Sequence, residues 1–118
     1  MTSKFNTSLE ILEVADKQLL YQKLIAQLQK DFKLANIPLD FIDGPSPKEV
    51  KALLHEKIYF LLMERFPDYL NLLYVVDIPE NQIAQVKSNN PVDAAEEMCF
   101  LIVKREWQKV WFKHKFSE

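Results

Sequence analysis

The charged residues best placed for chemistry are those that helical periodicity turns toward the protein interior. Counting 100° per residue from Cys99, Glu106 falls about 20° from the middle of the apolar face of a C-terminal helix. The same count places Lys57 and Arg65 within about 60° of the centre of another helix's apolar face. Because a buried charge is costly unless it is paired, we expect Glu106 to form a partly buried ion pair with Arg65 or Lys57. The alternative is a functional polar pocket built from the same three residues, since buried charges are also typical of active sites.

The other reactive side chains are too few to form a metal or nucleophilic site. One cysteine and two histidines supply fewer thiol and imidazole groups than a structural zinc site uses. Neither His55 nor His114 has the glutamate three residues earlier that di-iron helical bundles require. Cys99 lies in the middle of an apolar helix face, where burial should raise its pKa and leave the thiol inert. We therefore expect no metal, no cofactor and no catalytic residue, and we favour a protein that is not an enzyme.

A ridge of large side chains lies beside this apolar face on the C-terminal helix. Phe100, Trp107 and Trp111 are spaced by seven and four residues, which puts them on one side of a helix. Tryptophan is enriched among the residues that anchor interfaces, so this ridge is expected either to pack in the core or to form a subunit interface. The basic residues Lys104, Arg105, Lys109 and Lys115 are expected on the remaining surface of the helix.

The near absence of glycine decides the fold class. Gly44 is the only glycine in 118 residues, which excludes glycine-rich phosphate loops, dinucleotide-binding turns and calcium loops. Long apolar-periodic segments separated by prolines instead predict an all-α fold. We expect a single domain over residues 1–118, with residues 1–6 disordered. Its architecture is predicted to be a compact bundle of four or five helices with a long C-terminal helix.

Four capping residues mark the expected helix starts: Thr7, Ser46, Asp77 and Asn90. From Thr7, apolar positions at heptad spacing predict one helix face continuing to Phe32. The prolines within residues 37–47 predict a loop. Residues 68–76 are so apolar that we expect them to be largely buried. The last helix can run from Asn90 to His114 without a breaking residue.

The sequence favours a cytoplasmic protein. A single cysteine excludes an intrachain disulfide, and the N-terminal residues lack the apolar stretch of a signal peptide. The longest apolar runs, residues 58–63 and 98–103, are six residues each, far short of the roughly 20 of a membrane span. We therefore expect no membrane partner.

Two segments resemble parts of small, uncharacterised all-helical bacterial proteins. They are residues 72–80, LLYVVDIPE, and residues 105–112, REWQKVWF. The resemblance extends over about the last two thirds of the chain. It implies a helical fold and brings no activity or site residue with it.

These features favour a non-catalytic interaction module whose partner is a second copy of the chain or another protein. One alternative is a small ligand-binding protein or enzyme that uses a polar pocket around Glu106, Arg65 and Lys57. A second is weak nucleic-acid binding through the C-terminal segment, where residues 101–118 carry five Lys+Arg. The net charge of −2 argues against this last function.

Overall fold

The computed structural model describes residues 5–86 and 88–116, and these residues form six α-helices. In chain order they are α1 (Ser8–Lys17), α2 (Tyr21–Leu34), α3 (Pro47–Glu64), α4 (Phe66–Val76), α5 (Glu80–Ile83) and α6 (Pro91–Phe116). The described residues contain no strand, which confirms the all-α prediction. Of the segment expected to be disordered, residues 1–4 lie outside the described residues. Phe5 packs against the core, and the Asn6 N–H donates to the Glu10 carboxylate at 2.6 Å.

The described residues form six helices rather than the predicted four or five, because a break interrupts the predicted first helix. Helix α1 ends at Lys17, and Leu19 adopts a left-handed φ of 61°. The N–H of Leu19 donates to the Asp16 carbonyl at 3.1 Å, and the N–H of Leu20 to the Ala15 carbonyl at 2.9 Å. These are the two hydrogen bonds of a Schellman motif. The left-handed conformation costs a leucine roughly 1–2 kcal/mol, and burial of the Leu20 side chain offsets that cost.

Helices α2 and α4 end in the same motif without glycine. Asn36 and Asp77 adopt φ values of 64° and 70°. The residues that follow them, Ile37 and Ile78, are buried, and their N–H groups donate to carbonyls five residues earlier at 2.8 and 3.1 Å. Asp77 therefore ends α4 rather than starting the next helix as predicted. Pro79 is the N-cap of the short α5.

The other predicted helix starts are confirmed. The Ser46 and Glu49 side chains satisfy each other's backbone N–H groups in a complete capping box. The Thr7 hydroxyl accepts from the Glu10 N–H at 3.1 Å. The Asn90 side-chain oxygen accepts from the Val92 N–H at 2.8 Å.

Helix α6 is the central packing element of the fold. Its 26 residues span about 39 Å at 1.5 Å per residue, which confirms the long C-terminal helix. It contacts α1, α2, α3 and α4. Its buried residues are Ala95, Met98, Cys99, Ile102, Val103, Glu106, Trp107 and Val110. Despite this length, no helix in the described part of the chain is apolar enough to cross a membrane.

The prediction that residues 68–76 are largely buried is only partly correct. The buried residues of α4 are Tyr69, Leu72, Leu73 and Val76. Leu70 is 50% exposed, however, and Tyr74 is 83% exposed. Together with Phe66, they form a stripe at four-residue spacing on the outer side of α4. We call this stripe and the exposed residues that precede it on α3 the α3–α4 apolar face; its members are Tyr59, Phe60, Met63, Phe66, Leu70 and Tyr74.

Candidate functional site

Helix α2 carries two polar residues on the side that packs against α6. Gln27 and Asp31 are one helical turn apart, and they are 8% and 4% exposed. The Gln27 amide Nε2 donates to Asp31 Oδ2 at 3.2 Å. A buried carboxylate needs a positively charged or hydrogen-bonding partner, and one amide does not balance its charge.

Helix α6 supplies that partner together with a second carboxyl group. The Lys109 ammonium donates to Asp31 Oδ2 at 2.6 Å. The same nitrogen lies 2.9 Å from Oε1 of Glu106, whose side chain is fully buried. Gln27, Asp31, Glu106 and Lys109 thus form a buried polar cluster, which holds α2 and α6 in one register.

The pKa shifts within this cluster place a proton on Glu106 at neutral pH. Burial and, to a lesser extent, the adjacent Asp31 raise the pKa of Glu106 to about 8, although Lys109 acts in the opposite direction. Burial also acts to raise the pKa of Asp31, but hydrogen bonds from Glu106, Lys109 and Gln27 outweigh it and hold that pKa below its ordinary value. At neutral pH the cluster therefore contains a carboxylic acid on Glu106, a carboxylate on Asp31 and an ammonium on Lys109, with no net charge.

The contacts of the Glu106 carboxyl group agree with this protonation state. Neither of its oxygens accepts a hydrogen bond from an N–H or O–H donor among the described residues, because the close Lys109 contact has ion-pair distance but not hydrogen-bond geometry. A buried carboxylate without hydrogen bonds is costly. A protonated Glu106 carries no charge and so avoids this cost, and its O–H can donate to the adjacent Asp31 carboxylate.

The structure pairs Glu106 differently from the sequence prediction. Arg65 lies beyond the end of α3, where its side chain is 61% exposed and its Nη2 is 2.7 Å from Asp68 Oδ2. Lys57 is half-buried on α3. Within the described residues, the cation in contact with the Glu106 carboxyl group is Lys109, at 2.9 Å, and neither Arg65 nor Lys57 pairs with it. The partner lies one turn further along α6 itself, at a position predicted to be on the surface.

Asp31 and Gln27 were missed by sequence reasoning, although a signal for Asp31 exists. Positions 24, 28, 31 and 35 follow steps of four, three and four, which is the spacing of one helix stripe. Leu24, Leu28 and Ala35 on this stripe are all buried. An acid in line with these residues should be buried, as Glu106 is on α6.

The aromatic ridge of α6 divides between core and surface. Trp107 is 2% exposed and belongs to the core, whereas Phe100 and Trp111 are half-buried. The Trp107 and Trp111 rings lie 6.0 Å apart, and the Lys104 ammonium lies 5.8 Å from the centre of the Phe100 ring. Trp107 is therefore not available to anchor a subunit interface.

The remaining reactive groups form no site in the described residues. Cys99 is fully buried, and this burial raises its pKa to about 12, as expected from its position in the apolar face. Its Sγ lies 3.8 Å from the Ser8 hydroxyl. Residues 5–86 and 88–116 contain no group of three or more His, Cys, Asp or Glu side chains that could hold a metal ion.

Comparison with protein-family models, with curated proteins and with solved structures finds no match to this chain. The geometry of the buried polar cluster allows it to hold a proton and to fix the register of α2 against α6. Because Glu106 is fully buried, a ligand reaches its carboxyl group only if α2 and α6 separate.

Proposed function

We propose that this chain is a non-catalytic interaction module that associates with a second copy of itself through the α3–α4 apolar face. The observation that carries the proposal is the exposure of six large apolar side chains on two consecutive helices. Four of the six are aromatic and one is methionine, residue types that are enriched at protein interfaces. Large exposed apolar patches on soluble proteins mark interaction sites.

The area of this face suits a dimer. Large aromatic side chains bury 150–250 Å² each, so the four aromatic members, which are 36% to 83% exposed, offer about 400 Å², and Met63 and Leu70 add to this area. A standard interface uses about 800 Å² from each partner. The face therefore supplies most of what one partner contributes.

A second copy is a suitable occupant because the face is compatible with two-fold symmetry. In a two-fold interface each surface patch meets its own copy. The stripe of Phe66, Leu70 and Tyr74 forms a ridge along α4 that can pack against the same ridge of another molecule. The rim near the α3–α4 junction carries both Arg65 and Asp68, so a symmetric partner does not bring only like charges together.

Intramolecular contacts weaken the case for nucleic-acid binding through α6. Arg105 donates to the Asp77 carbonyl and carboxylate at 3.0 and 3.2 Å. Lys109 is directed into the polar cluster, and Lys104 lies over Phe100. Three of the basic residues of this helix are thus engaged within the chain.

For the enzyme alternative, the complete burial of Glu106 leaves a substrate no access to the predicted pocket.

Sedimentation equilibrium of three proteins tests the proposal. We expect the native chain to show a concentration-dependent monomer–dimer equilibrium at micromolar to high micromolar concentrations. The face variant Leu70→Gln/Tyr74→Gln should be monomeric. The matched control Leu34→Gln/Ile42→Gln, which alters two residues that are 63% and 64% exposed elsewhere, should dimerise like the native chain. A native chain that is monomeric throughout, or a control that dissociates equally, would contradict the proposal.

The cellular setting that we propose for this module is the cytoplasm. A lone thiol that is fully buried requires no oxidising compartment. Localisation of a fluorescently tagged chain in the native cell tests this part of the proposal.

A further inference from the structure

A second surface feature, separate from the α3–α4 apolar face, is a groove between α2 and the C-terminal half of α6. It has a volume of about 320 Å³, which is at the lower end of the range for small-ligand sites. Its walls are formed by Lys23, Ala26, Gln27, Lys30, Val110, Lys113 and His114. No lining residue is acidic, and three are lysines.

The segments that flank the groove are rich in positive charge. Residues 19–30 and residues 107–116 contain no Asp or Glu, although the whole chain has more acidic than basic residues. The nearest acid that follows on α2 is Asp31, and Lys109 already pairs with it. The charge of Lys23 and Lys30 is therefore not offset by an acid within the groove.

The two helices that form the groove are antiparallel. The contacts Lys109–Asp31 and Lys113–Gln27 show that α2 and α6 run antiparallel, since a later position on α6 meets an earlier one on α2. The positive N-terminal end of α2 thus lies near the negative C-terminal end of α6, and the two helix dipoles offset one another. The lysine side chains of the groove therefore do not face an unbalanced helix dipole.

The Gln27 side chain holds the Lys113 ammonium at the rim of the groove. Its side chain is 8% exposed, and its Oε1 accepts from the Lys113 ammonium at 3.0 Å. The opposite end of its amide is held by Asp31 at 3.2 Å. The buried polar cluster therefore orients Lys113 on the wall opposite Lys23 and Lys30.

We propose that this groove binds a compact anion with several negative charges, of the polyphosphate class. Lys23 and Lys30 are seven residues apart, or about 10.5 Å along the helix axis. One phosphate cannot contact both lysines closely, whereas a chain of phosphates can approach both while facing Lys113. Flexible lysine side chains act as point charges toward phosphate and do not require one fixed geometry.

Isothermal titration of the full chain with inorganic triphosphate at low ionic strength tests the site. We expect saturable binding by the native chain and at least a tenfold loss of affinity in Lys23→Gln/Lys30→Gln. The control Lys48→Gln/Lys57→Gln removes the same charge from α3, which does not line the groove, and should change affinity less than twofold. Both lysines of the groove variant are exposed, so circular dichroism should show that its fold is retained.

Three outcomes would overturn the assignment. One is the absence of saturable binding to the native chain, and another is an equal loss in both variants, which would indicate diffuse attraction only. The third is tighter binding of a single-stranded oligonucleotide that also depends on Lys104 and Lys115, which would make α6 a nucleic-acid surface. A parallel titration with a nucleoside triphosphate separates two supporting results: equal affinity means that the phosphate chain alone is recognised, and higher affinity means that the organic part also binds.

Discussion

At the residue scale, the distinctive feature of this protein is Glu106, a fully buried carboxylic acid. Folding moves Glu106 from an ordinary pKa of 4.5 to about 8. Because the folded pKa is the higher one, folding takes up a proton between these pH values. The stability associated with Glu106 is fully present below pH 4.5 and is lost as the pH rises to about 8. The pKa of Asp31 is lowered in the folded protein. The stability that the Asp31 carboxylate contributes is therefore lost only as the pH falls below the ordinary pKa of an aspartate.

We predict that the free energy of unfolding declines from pH 5 to pH 8 by up to about 1.4 kcal/mol per pH unit, the limit set by one proton. Glu106→Gln keeps the shape and a hydrogen-bond donor but cannot ionise, so this decline should disappear. Urea denaturation at several pH values measures both curves. The exposed Glu13→Gln serves as a control and should keep the native slope. Parallel curves for the native chain and Glu106→Gln would show that Glu106 is ionised in the folded protein.

The lysine of the cluster provides an independent prediction. Lys109→Met preserves most of the side-chain volume but leaves Asp31 buried without its cation, which should cost about 3–5 kcal/mol of stability. The exposed Lys115→Met should cost no more than about 0.5 kcal/mol. Adding Asp31→Asn to Lys109→Met should restore much of the loss, because the unpaired charge is then removed. Similar stabilities for the Lys109 and Lys115 variants, measured in urea at pH 6, would place Lys109 at the surface.

At the element scale, three of the described helices, α1, α2 and α4, end at a left-handed residue that is followed by a buried one. Asn36 and Asp77 are polar residues that tolerate the left-handed conformation, and each is followed by isoleucine and proline. Both helix ends therefore carry a sequence signal, although Asp77 is predicted above to start a helix rather than to end one. The end of α1 carries no such signal, because Leu19 is an ordinary helix former and the heptad pattern continues past it. The break coincides with the burial of Leu20, which depends on tertiary packing.

This break offers a test of local strain. Leu19 is 90% exposed, so removing its side chain sacrifices little packing. Leu19→Gly should relieve the strain of φ 61° and raise stability by about 0.5–1 kcal/mol, despite the greater freedom of glycine in the unfolded chain. Thermal and urea unfolding measure the change, with Gln22→Gly inside α2 as the destabilising control. A loss of stability equal to that of Gln22→Gly would contradict the conformation of Leu19.

At the scale of the whole molecule, periodicity predicts which residues are buried better than it predicts their partners. It placed Glu106 and Cys99 in the core correctly, since both positions depend only on the turn of one helix. Lys109 lies three residues from Glu106 on the same helix, but its inward orientation and the neighbouring Asp31 depend on how α2 and α6 pack against each other, which a single helix pattern does not contain. The exposed side of α4 escaped prediction for a similar reason. An almost wholly apolar helix does not indicate which of its sides the rest of the fold leaves uncovered.

The most direct measurement of the proposed self-association is disulfide trapping across the α3–α4 apolar face. Leu70 is the middle residue of the α4 stripe, and in a two-fold interface a central residue lies near its own copy. Cys99 can be kept, because its buried thiol is protonated and inaccessible. Val92→Cys, at a residue that is 49% exposed elsewhere, is the matched control.

Under mild oxidation at micromolar concentration, we predict that Leu70→Cys forms a covalent dimer rapidly. Val92→Cys should stay largely monomeric, and adding Tyr74→Gln to Leu70→Cys should slow dimer formation. Equal rates for the Leu70 and Val92 variants, independent of Tyr74, would mean that dimers arise from random collision and that this face does not bind a second copy.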